Sequence, residues 1–263
     1  MFLILLFILF SAGFSYLYSL IPLSDWYLFL WIPLGIISGL LFLVVLVLLY
    51  FSIASKTKPT KKFKHFILRN ACFVAIKFLR IKLEVTGKEN IPNETFVVYA
   101  NHKSNMDPLL IYYPMKRVCS AVGKKSLFKH PVMQLIANTY GAVSIDREND
   151  REAAKSIITA IKRVKSGLSM IIFPEGGIKS RDTDEMVNLR AGAYKLAVKS
   201  EAPILPVSIV NSSNISKKKF FKKIVVKIVF HKPIYKEEYK DLNTTELGHN
   251  VEAIINSGIK DAQ

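Results

Sequence analysis

The chain has 263 residues, a formal net charge of +17 and an apolar content of 51%. A chain of this length accommodates one or two domains, and the excess of basic residues favours acidic partners. The mean hydropathy is positive, which argues against a purely soluble protein and favours lipid over nucleic acid as the acidic partner. The two cysteines, Cys72 and Cys119, have no metal-type spacing and are predicted to be reduced.

The first predicted unit, residues 1–55, is a transmembrane helical hairpin. Residues 1–24 and 26–55 contain no charged side chain, and each stretch reaches the roughly 20 residues that cross a bilayer as a helix. Residues 21–25 supply a turn between them. Aromatic residues cluster around that turn, as in an interfacial belt: Tyr16, Tyr18, Trp26, Tyr27 and Trp31. A cleaved signal peptide over residues 1–15 is the alternative, but it lacks the positive start that such peptides need.

Basic residues follow the second apolar stretch at Lys56, Lys58, Lys61 and Lys62. Positive residues stay on the cytoplasmic side, so the pattern predicts an integral protein of the inner (cytoplasmic) membrane with the rest of the chain in the cytoplasm. Residues 56–82 form the second predicted unit, a basic helix with aromatic residues at helical spacing. This helix either lies in the membrane interface or packs on the core with its charges in solvent.

The third predicted unit, residues 83–263, is an α/β domain. Strands are predicted over 82–86, 95–100, 117–122, 142–145, 169–173, 204–209 and 224–230. Helices are predicted over 108–113, 151–165 and 189–199, and a capping box at 243–246 opens a last one. The alternation predicts a mixed, largely parallel sheet of about seven strands covered by helices and preceded by the hairpin.

The strand predicted over 95–100 ends in Asn101 and His102, and Asp107 opens the following helix. In open α/β sheets, ligands bind beyond the carboxyl ends of the strands. The loop can fold the carboxylate under the imidazole, which fixes the tautomer and leaves the other nitrogen free to take a proton. His102 and Asp107 are therefore candidates for a general base. The alternative is that Asp107, followed by Pro108, is only a helix cap.

Two more predicted strands end in polar residues. Arg147 closes the segment 141–147 and is placed to bind a phosphate with two hydrogen bonds, or to form a surface ion pair. Residues 174–177, Pro-Glu-Gly-Gly, follow the strand over 169–173. The glycines allow close approach of a ligand to the backbone, although a simple turn has the same pattern. Three polar strand ends on one sheet predict a single site.

The motifs resemble those of a known family. Residues 101–107 resemble the N-H-x-x-x-x-D signature of the glycerolipid acyltransferases, and the chain is similar to lysophosphatidic acid (1-acyl-glycerol-3-phosphate) acyltransferases over residues 85–209. Residues 141–147 resemble the second block of that family, G-x-x-x-I-D-R, and residues 173–176 the third, F-P-E-G. Residues 190–193 and 204–209 resemble its basic-x-Gly-Ala stretch and its proline-containing strand. Gly177 and Ile178 replace the usual Thr and basic residue, and Ser144 replaces a frequent aromatic.

The resemblance implies that His102 removes the proton of an acceptor hydroxyl as it attacks an acyl thioester, while Asp107 orients the imidazole. It implies substrate-binding roles for Lys125, Arg147, Glu175, Gly176, Gly177 and Arg190. It assigns motif support to Asn101, Ser104, Phe173, Pro174 and Pro206.

The implied substrates are lysophosphatidic acid and either acyl-CoA or acyl-acyl carrier protein, with phosphatidic acid as the product. No cofactor and no metal is expected, and anionic membrane lipid is the expected surface partner. The alternatives are an acyltransferase for another lysolipid (an aminolipid or a lyso-phospholipid) and a catalytically silent lipid-binding protein. The basic run over 217–223 also fits nucleic acid, which the two apolar spans disfavour.

Overall fold

The structure, a computed structural model, describes residues 2–21, 28–187, 189–219 and 222–262. The helices are α1 (Phe2–Ser19), α2 (Leu28–Ala54), α3 (Lys62–Phe78), α4 (Asp107–Tyr112), α5 (Pro131–Tyr140), α6 (Asp150–Lys165), α7 (Lys195–Ser200), α8 (Lys236–Tyr239) and α9 (Thr244–Ala262). The strands are β1 (Ile81–Thr86), β2 (Val97–Ala100), β3 (Cys119–Lys124), β4 (Val143–Ile145), β5 (Ser169–Ile172), β6 (Ile204–Val210) and β7 (Ile224–Phe230).

The strands form one seven-stranded sheet in the order β1-β7-β6-β2-β5-β3-β4. Only the β6–β7 pair is antiparallel among the described strands. The predicted fold class is confirmed, and each predicted strand lies within two residues of an observed one at both ends. Because β2, β5, β3 and β4 run parallel, the residues that follow β2, β4 and β5 meet at one edge of the sheet.

Helices cover both faces of the sheet. One apolar cluster joins the sheet to α6, α7 and α9, and a second joins its other face to α3 and α4. The central strands are buried on both faces: every residue of β2, β5 and β6 is buried, in keeping with their mostly apolar sequences. The site residues that follow these strands are therefore attached to the buried centre of the sheet.

Pro206 lies inside the central strand β6, an unusual place for a proline. It pairs in register with Tyr99 of β2. The ladder between β6 and β7 begins at Val207. Pro206 O still accepts a hydrogen bond from His231 N at 3.0 Å, and an isolated bridge joins Ile204 to Ile234. Proline has no N–H to donate, so the ladder on the β7 side is interrupted at this residue.

Local capping patterns predicted some helix ends, and others were missed. The Asn149 side chain accepts a hydrogen bond from Glu152 N at 3.1 Å at the start of α6. Asn243 and Glu246 exchange hydrogen bonds of 3.0 Å at the start of α9, which confirms the capping box. Helix α5 was not predicted, although it begins at a proline and ends before Gly141. The helix predicted over 189–199 is a 3-10 turn, Ala191–Tyr194, followed by α7.

Helix α3 packs on the core, which is one of the two alternatives that the sequence left open, and part of its surface remains exposed. Its inner face buries Lys64, Cys72 and Ile76. Its outer face exposes the aromatic rings of Phe63, Phe66 and Phe78. The helix therefore packs on the sheet and still presents an apolar surface outward.

The two N-terminal helices are each long and apolar enough, by length and composition, to cross a membrane. They pack as a hairpin: the rings of Phe10 and Phe42 are 4.4 Å apart, and those of Tyr18 and Trp31 stack at 6.0 Å. Residues 22–25 of the predicted turn over 21–25, with Trp26 and Tyr27, lie outside the described residues. These helices suggest association with a membrane.

Small residues line the contact between α1 and α2. A Cβ added to Gly35 would lie 2.7 Å from the backbone of Ser11 and Ser15, and one added to Gly39 would lie 2.9 Å from Ser11 N. Small residues four positions apart allow helix backbones to approach closely in a bilayer. The close packing of the two helices therefore requires glycine at positions 35 and 39.

The hairpin is bonded to the α/β domain through α2, α3 and α5. The hydroxyls of Tyr50 in α2 and Tyr140 in α5 are 2.6 Å apart. The buried ammonium of Lys64 donates to the carbonyls of Thr57 and Thr139 at 2.9 and 2.8 Å, and burial lowers its pKa. These bonds fix the end of the second apolar helix against the domain.

We expect Gly35→Leu to destabilise the hairpin, because the new side chain meets the backbone of α1. Overpacking of this kind costs about 1–3 kcal/mol. Thermal unfolding in detergent should show a lower Tm. Gly13→Leu is the matched control, since nothing lies within 4 Å of its added Cβ. Equal Tm values for the two variants would show that the seam is not tightly packed.

Candidate active site

Asp107 is the first residue of α4 and turns its buried carboxylate back over the preceding loop. Its Oδ2 atom lies 3.0 Å from His102 Nδ1 and accepts the backbone N–H groups of Lys103 and Ser104, each at 2.8 Å. The N-cap of α4 is Met106, so Asp107 is not the plain helix cap of the alternative reading. An ionised carboxylate cannot donate, so Nδ1 of His102 carries the hydrogen and Nε2 is left to accept a proton.

Asn101 fixes the beginning of this loop to the end of β6. Its side-chain amide donates to Ile209 O at 2.7 Å and accepts from Ile209 N at 2.8 Å. The same amide donates to Asp184 O at 2.7 Å. A side chain with a donor and an acceptor thus continues the β2–β6 pairing by one residue, which explains an asparagine at this strand end.

Phe173 supports the imidazole from one side. Its ring lies 4.1 Å from that of His102, with 18° between the ring planes. The His102 side chain is only 12% exposed. The stacking and the Asp107 contact together restrict the ring to one orientation, as a general base requires.

Glu175 was expected to bind substrate, but the structure directs its carboxylate into the protein. Oε1 accepts from His102 N at 2.7 Å, and Oε2 accepts from Lys103 Nζ at 3.0 Å and from Val187 N at 3.4 Å. The carboxyl and ammonium groups belong to side chains that are both 0% exposed. Burial is the main cause of a raised pKa of Glu175, and the His102 N–H and the Lys103 charge oppose it.

Two guanidinium groups come together at the next two residues. A Cβ on Gly176 would lie 2.5 Å from Arg190 Nε, and one on Gly177 would lie 2.7 Å from an Arg147 guanidinium nitrogen. The φ angles of the glycines, +71° and +143°, are also unfavourable for other residues. Arg190 donates to Arg147 O at 3.3 Å.

Arg147 has no acidic side chain paired with it among the described residues. Burial, and then the charge of Arg190, lower the pKa of Arg147. The surface ion pair considered from the sequence is therefore not present. Two adjacent cations without a bound carboxylate are suited to a phosphate.

The remaining candidates lie around this centre or outside it. Pro174 O accepts from Arg190 N at 3.0 Å, and Ser104 Oγ accepts from Met106 N at 3.3 Å. Lys125, expected to bind substrate, forms an exposed ion pair with Asp146 at 3.1 Å.

Three of the other four histidines contact residues outside this site. His65 contacts Tyr112, and His231 contacts Ser208. The exposed His249 lies 3.4 Å from Glu252.

Sequence reasoning missed Lys103 and the segment that closes over it. Arg181 Nε donates to Lys103 O at 3.3 Å, and Asp184 Oδ2 accepts from Asn211 N at 2.7 Å. A signal was available for Lys103, because it stands between the two residues of the His-Asp pair. Nothing local marked it as buried, since lysines are rarely fully buried unless paired.

The fold and this site define the class of protein as an acyltransferase. A model of the Acyltransferase family matches residues 82–210. The crystal structure of the 1-acyl-sn-glycerophosphate (LPA) acyltransferase PlsC from Thermotoga maritima superposes with a TM-score of 0.67 at 27% identity, covering 76% of this chain and 80% of that one.

Similar proteins with assigned names support the same class. The probable 1-acyl-sn-glycerol-3-phosphate acyltransferase of Mycoplasma genitalium is 31% identical over 78% of this chain and 80% of its own length. The 1-acyl-sn-glycerol-3-phosphate acyltransferase of Borreliella burgdorferi is 34% identical over 57% of this chain and 60% of its own length. The chain belongs to the family of the 1-acyl-sn-glycerol-3-phosphate acyltransferases.

We expect His102→Ala and Asp107→Asn to leave a folded protein whose turnover is lower by about two orders of magnitude or more. The first change removes the base, and the second removes the negative charge that stabilises an imidazolium. Steady-state rates of acyl transfer measure the effect. His249→Ala, on the exposed face of α9, is the control and should retain normal turnover. Near-normal turnover of a folded His102→Ala variant would contradict the assignment of the base.

Proposed function

We propose that this chain transfers a fatty acyl group from an acyl thioester to the free hydroxyl of 1-acyl-glycerol-3-phosphate, forming phosphatidic acid for phospholipid synthesis. The observation that carries the proposal is the His102–Asp107 pair, held at hydrogen-bonding distance at a strand end. The arginine pair at Gly176 and Gly177 supplies the selectivity for a phosphate. The family membership of the chain supports both parts.

The proposed reaction uses only protein groups, without a metal or cofactor. Nε2 of His102 takes the proton of the acceptor hydroxyl while the hydroxyl oxygen attacks the thioester carbonyl carbon. Asp107 stabilises the imidazolium that forms. The tetrahedral intermediate then expels the thiolate, which receives the proton from His102, and the ester is released. General-base help of this kind contributes about 10²–10⁴ in rate.

The acyl donor is coenzyme A or acyl carrier protein, both acidic and suited to a chain of net charge +17. The acceptor is a lysolipid whose remaining acyl chain stays in the membrane. The purified protein should be assayed with lysophosphatidate and with lysolipids of other headgroups, each with both donors. Exclusive use of an acceptor other than lysophosphatidate would overturn the proposed substrate but not the proposed reaction.

We expect Arg147→Ala to raise the KM for lysophosphatidate, because a phosphate contact binds ground state and transition state alike. Loss of a charge-assisted hydrogen bond predicts a decrease in kcat/KM of about 10- to 100-fold. Monoacylglycerol, which lacks the phosphate, should show little change with the same variant. Arg151→Ala, at an exposed position of α6, is the control. Equal effects on both acceptors would exclude a phosphate contact.

The proposed location is the inner (cytoplasmic) membrane, with anionic lipid at the protein surface and the catalytic domain on the cytoplasmic side. The two apolar helices and the basic residues from Lys56 to Lys62 support this orientation. The outward aromatic rings of α3 are suited to the lipid interface. The acceptor would then reach His102 without leaving the bilayer.

A cysteine placed on the domain tests the orientation. We expect Lys240→Cys to react with a membrane-impermeant thiol reagent in inverted vesicles and not in right-side-out vesicles. The native thiols are buried, and burial raises the pKa of Cys72 to about 12, so they should not compete. Ser24→Cys, between the two apolar stretches, should show the opposite pattern. Labelling of Lys240→Cys in right-side-out vesicles would reverse the proposed topology.

A further inference from the structure

Glu175 and Lys103 form a buried ion pair beside the His-Asp pair. The carboxylate and the ammonium are 3.0 Å apart, and neither side chain is exposed. Burying both members of an ion pair costs desolvation free energy that their attraction does not always recover. The burial of this pair therefore does not show that it stabilises the fold. The groups that the pair holds in place are the better indication of its role.

The pair holds the backbone of the catalytic base. Oε1 of Glu175 accepts the N–H of His102 at 2.7 Å, and Oε2 receives Lys103 Nζ and the more distant Val187 N–H. Asp107 holds the same loop from the other side, through the N–H groups of Lys103 and Ser104. Both oxygens of Glu175 are thus occupied by the protein.

We propose that Glu175 and Lys103 are positioning residues for His102, in which the Lys103 ammonium keeps the Glu175 carboxylate ionised so that it holds the His102 backbone. The inference deepens the proposed function, whose reaction supplies one of its readouts. It reassigns Glu175 from binding substrate to holding the base, and it gives a role to a lysine that no motif marks.

The charged surroundings of Glu175 make Lys103 the decisive countercharge among the described residues. Asp184 interacts electrostatically with Lys103 and with Asp107, and burial is the main cause of its raised pKa. Arg181 contacts the backbone oxygen of Lys103, not the carboxylate. The Lys103 ammonium therefore offsets the negative charge of two nearby carboxylates, those of Glu175 and Asp184.

Two further charges, Arg147 and Arg190, lie beside the glycines that follow Glu175. Among charged side chains, Lys103 lowers the pKa of Glu175 against the effect of burial. The imidazole of His102 bonds to Asp107, and only its backbone N–H reaches Glu175.

Removing the lysine charge should have opposite effects on activity and on stability. Lys103→Met leaves the buried Glu175 carboxylate without its countercharge, so the pKa of Glu175 rises further. Protonation of Glu175 then removes an acceptor from the His102 loop. The acid limb of the kcat profile should move to higher pH, with the acceptor KM unchanged.

The stability of Lys103→Met should depend on pH in the opposite direction to its activity. An acid whose pKa is higher in the folded than in the unfolded state stabilises the fold at low pH and loses that contribution as the pH rises. The Tm of Lys103→Met, relative to wild type, should therefore fall between about pH 5 and pH 8. At low pH the variant should be less active, although its stability relative to wild type is greatest there. Unfolding therefore cannot explain a loss of activity at low pH.

The double variant Lys103→Met/Glu175→Gln completes the test. It removes both charges and keeps an oxygen that accepts the His102 N–H. We expect its acid limb to return to the wild-type position and its kcat at pH 6 to exceed that of Lys103→Met at least tenfold. Lys155→Met, with its exposed partner Glu152, is the matched control and should move neither profile.

The outcomes separate the possible roles. An unmoved acid limb and an unmoved pH dependence of Tm in Lys103→Met would overturn the proposal. A raised acceptor KM in the double variant would also overturn it, because it would show that Glu175 binds substrate.

If Lys103→Met does not accumulate as folded protein, the double variant decides alone, through its acceptor KM and the position of its acid limb, each compared with wild type. The Tm measurement needs no substrate, so failure of the proposed function leaves the inference testable. Absence of lysophosphatidate acylation by wild type would concern the proposed function only.

Discussion

Oδ2 of Asp107 accepts hydrogen bonds from one imidazole and two backbone N–H groups, all from residues that precede it in the chain. This contact gives the loop after β2 its shape, because it closes residues 102–107 into a turn around one buried oxygen. The shape brings the His102 N–H to Glu175 and leaves Nε2 free to accept a proton. The remaining features of the site depend on this loop being closed.

The sheet brings the other groups to the loop. Parallel β2 and β5 end side by side, so the residues that follow the two strands meet: the rings of His102 and Phe173 stack, and Glu175 accepts the His102 N–H. The two glycines after Glu175 leave room for the arginines. A single buried side chain, Glu175, thus links the two parts of the site: it accepts the His102 N–H and directly precedes the glycines that the arginines contact.

Periodicity and capping residues predicted the strands and most helices, because these signals lie within a few neighbouring residues. The His102–Asp107 contact was also predictable, since a loop of known length joins a strand end to a helix start. The direction of Glu175 and the burial of Lys103 and Lys64 were not. They depend on chain segments distant in sequence, such as Thr139 for Lys64, and charge alone indicated exposure. Helix α5 was missed although Pro131 and Gly141 marked its ends.

The close packing of Gly35 and Gly39 against α1 has a consequence for the behaviour of the hairpin in a bilayer. Helices joined so tightly tilt together when the hydrocarbon layer does not match their length. Helix α2 has 27 residues, about 40 Å of helix, which is longer than a hydrocarbon core of about 30 Å, and its last turns form the end that meets the domain. The Tyr50–Tyr140 contact joins those turns to α5. Membrane thickness would then set the angle at which the domain faces the lipid, and with it the depth from which a lysolipid is drawn.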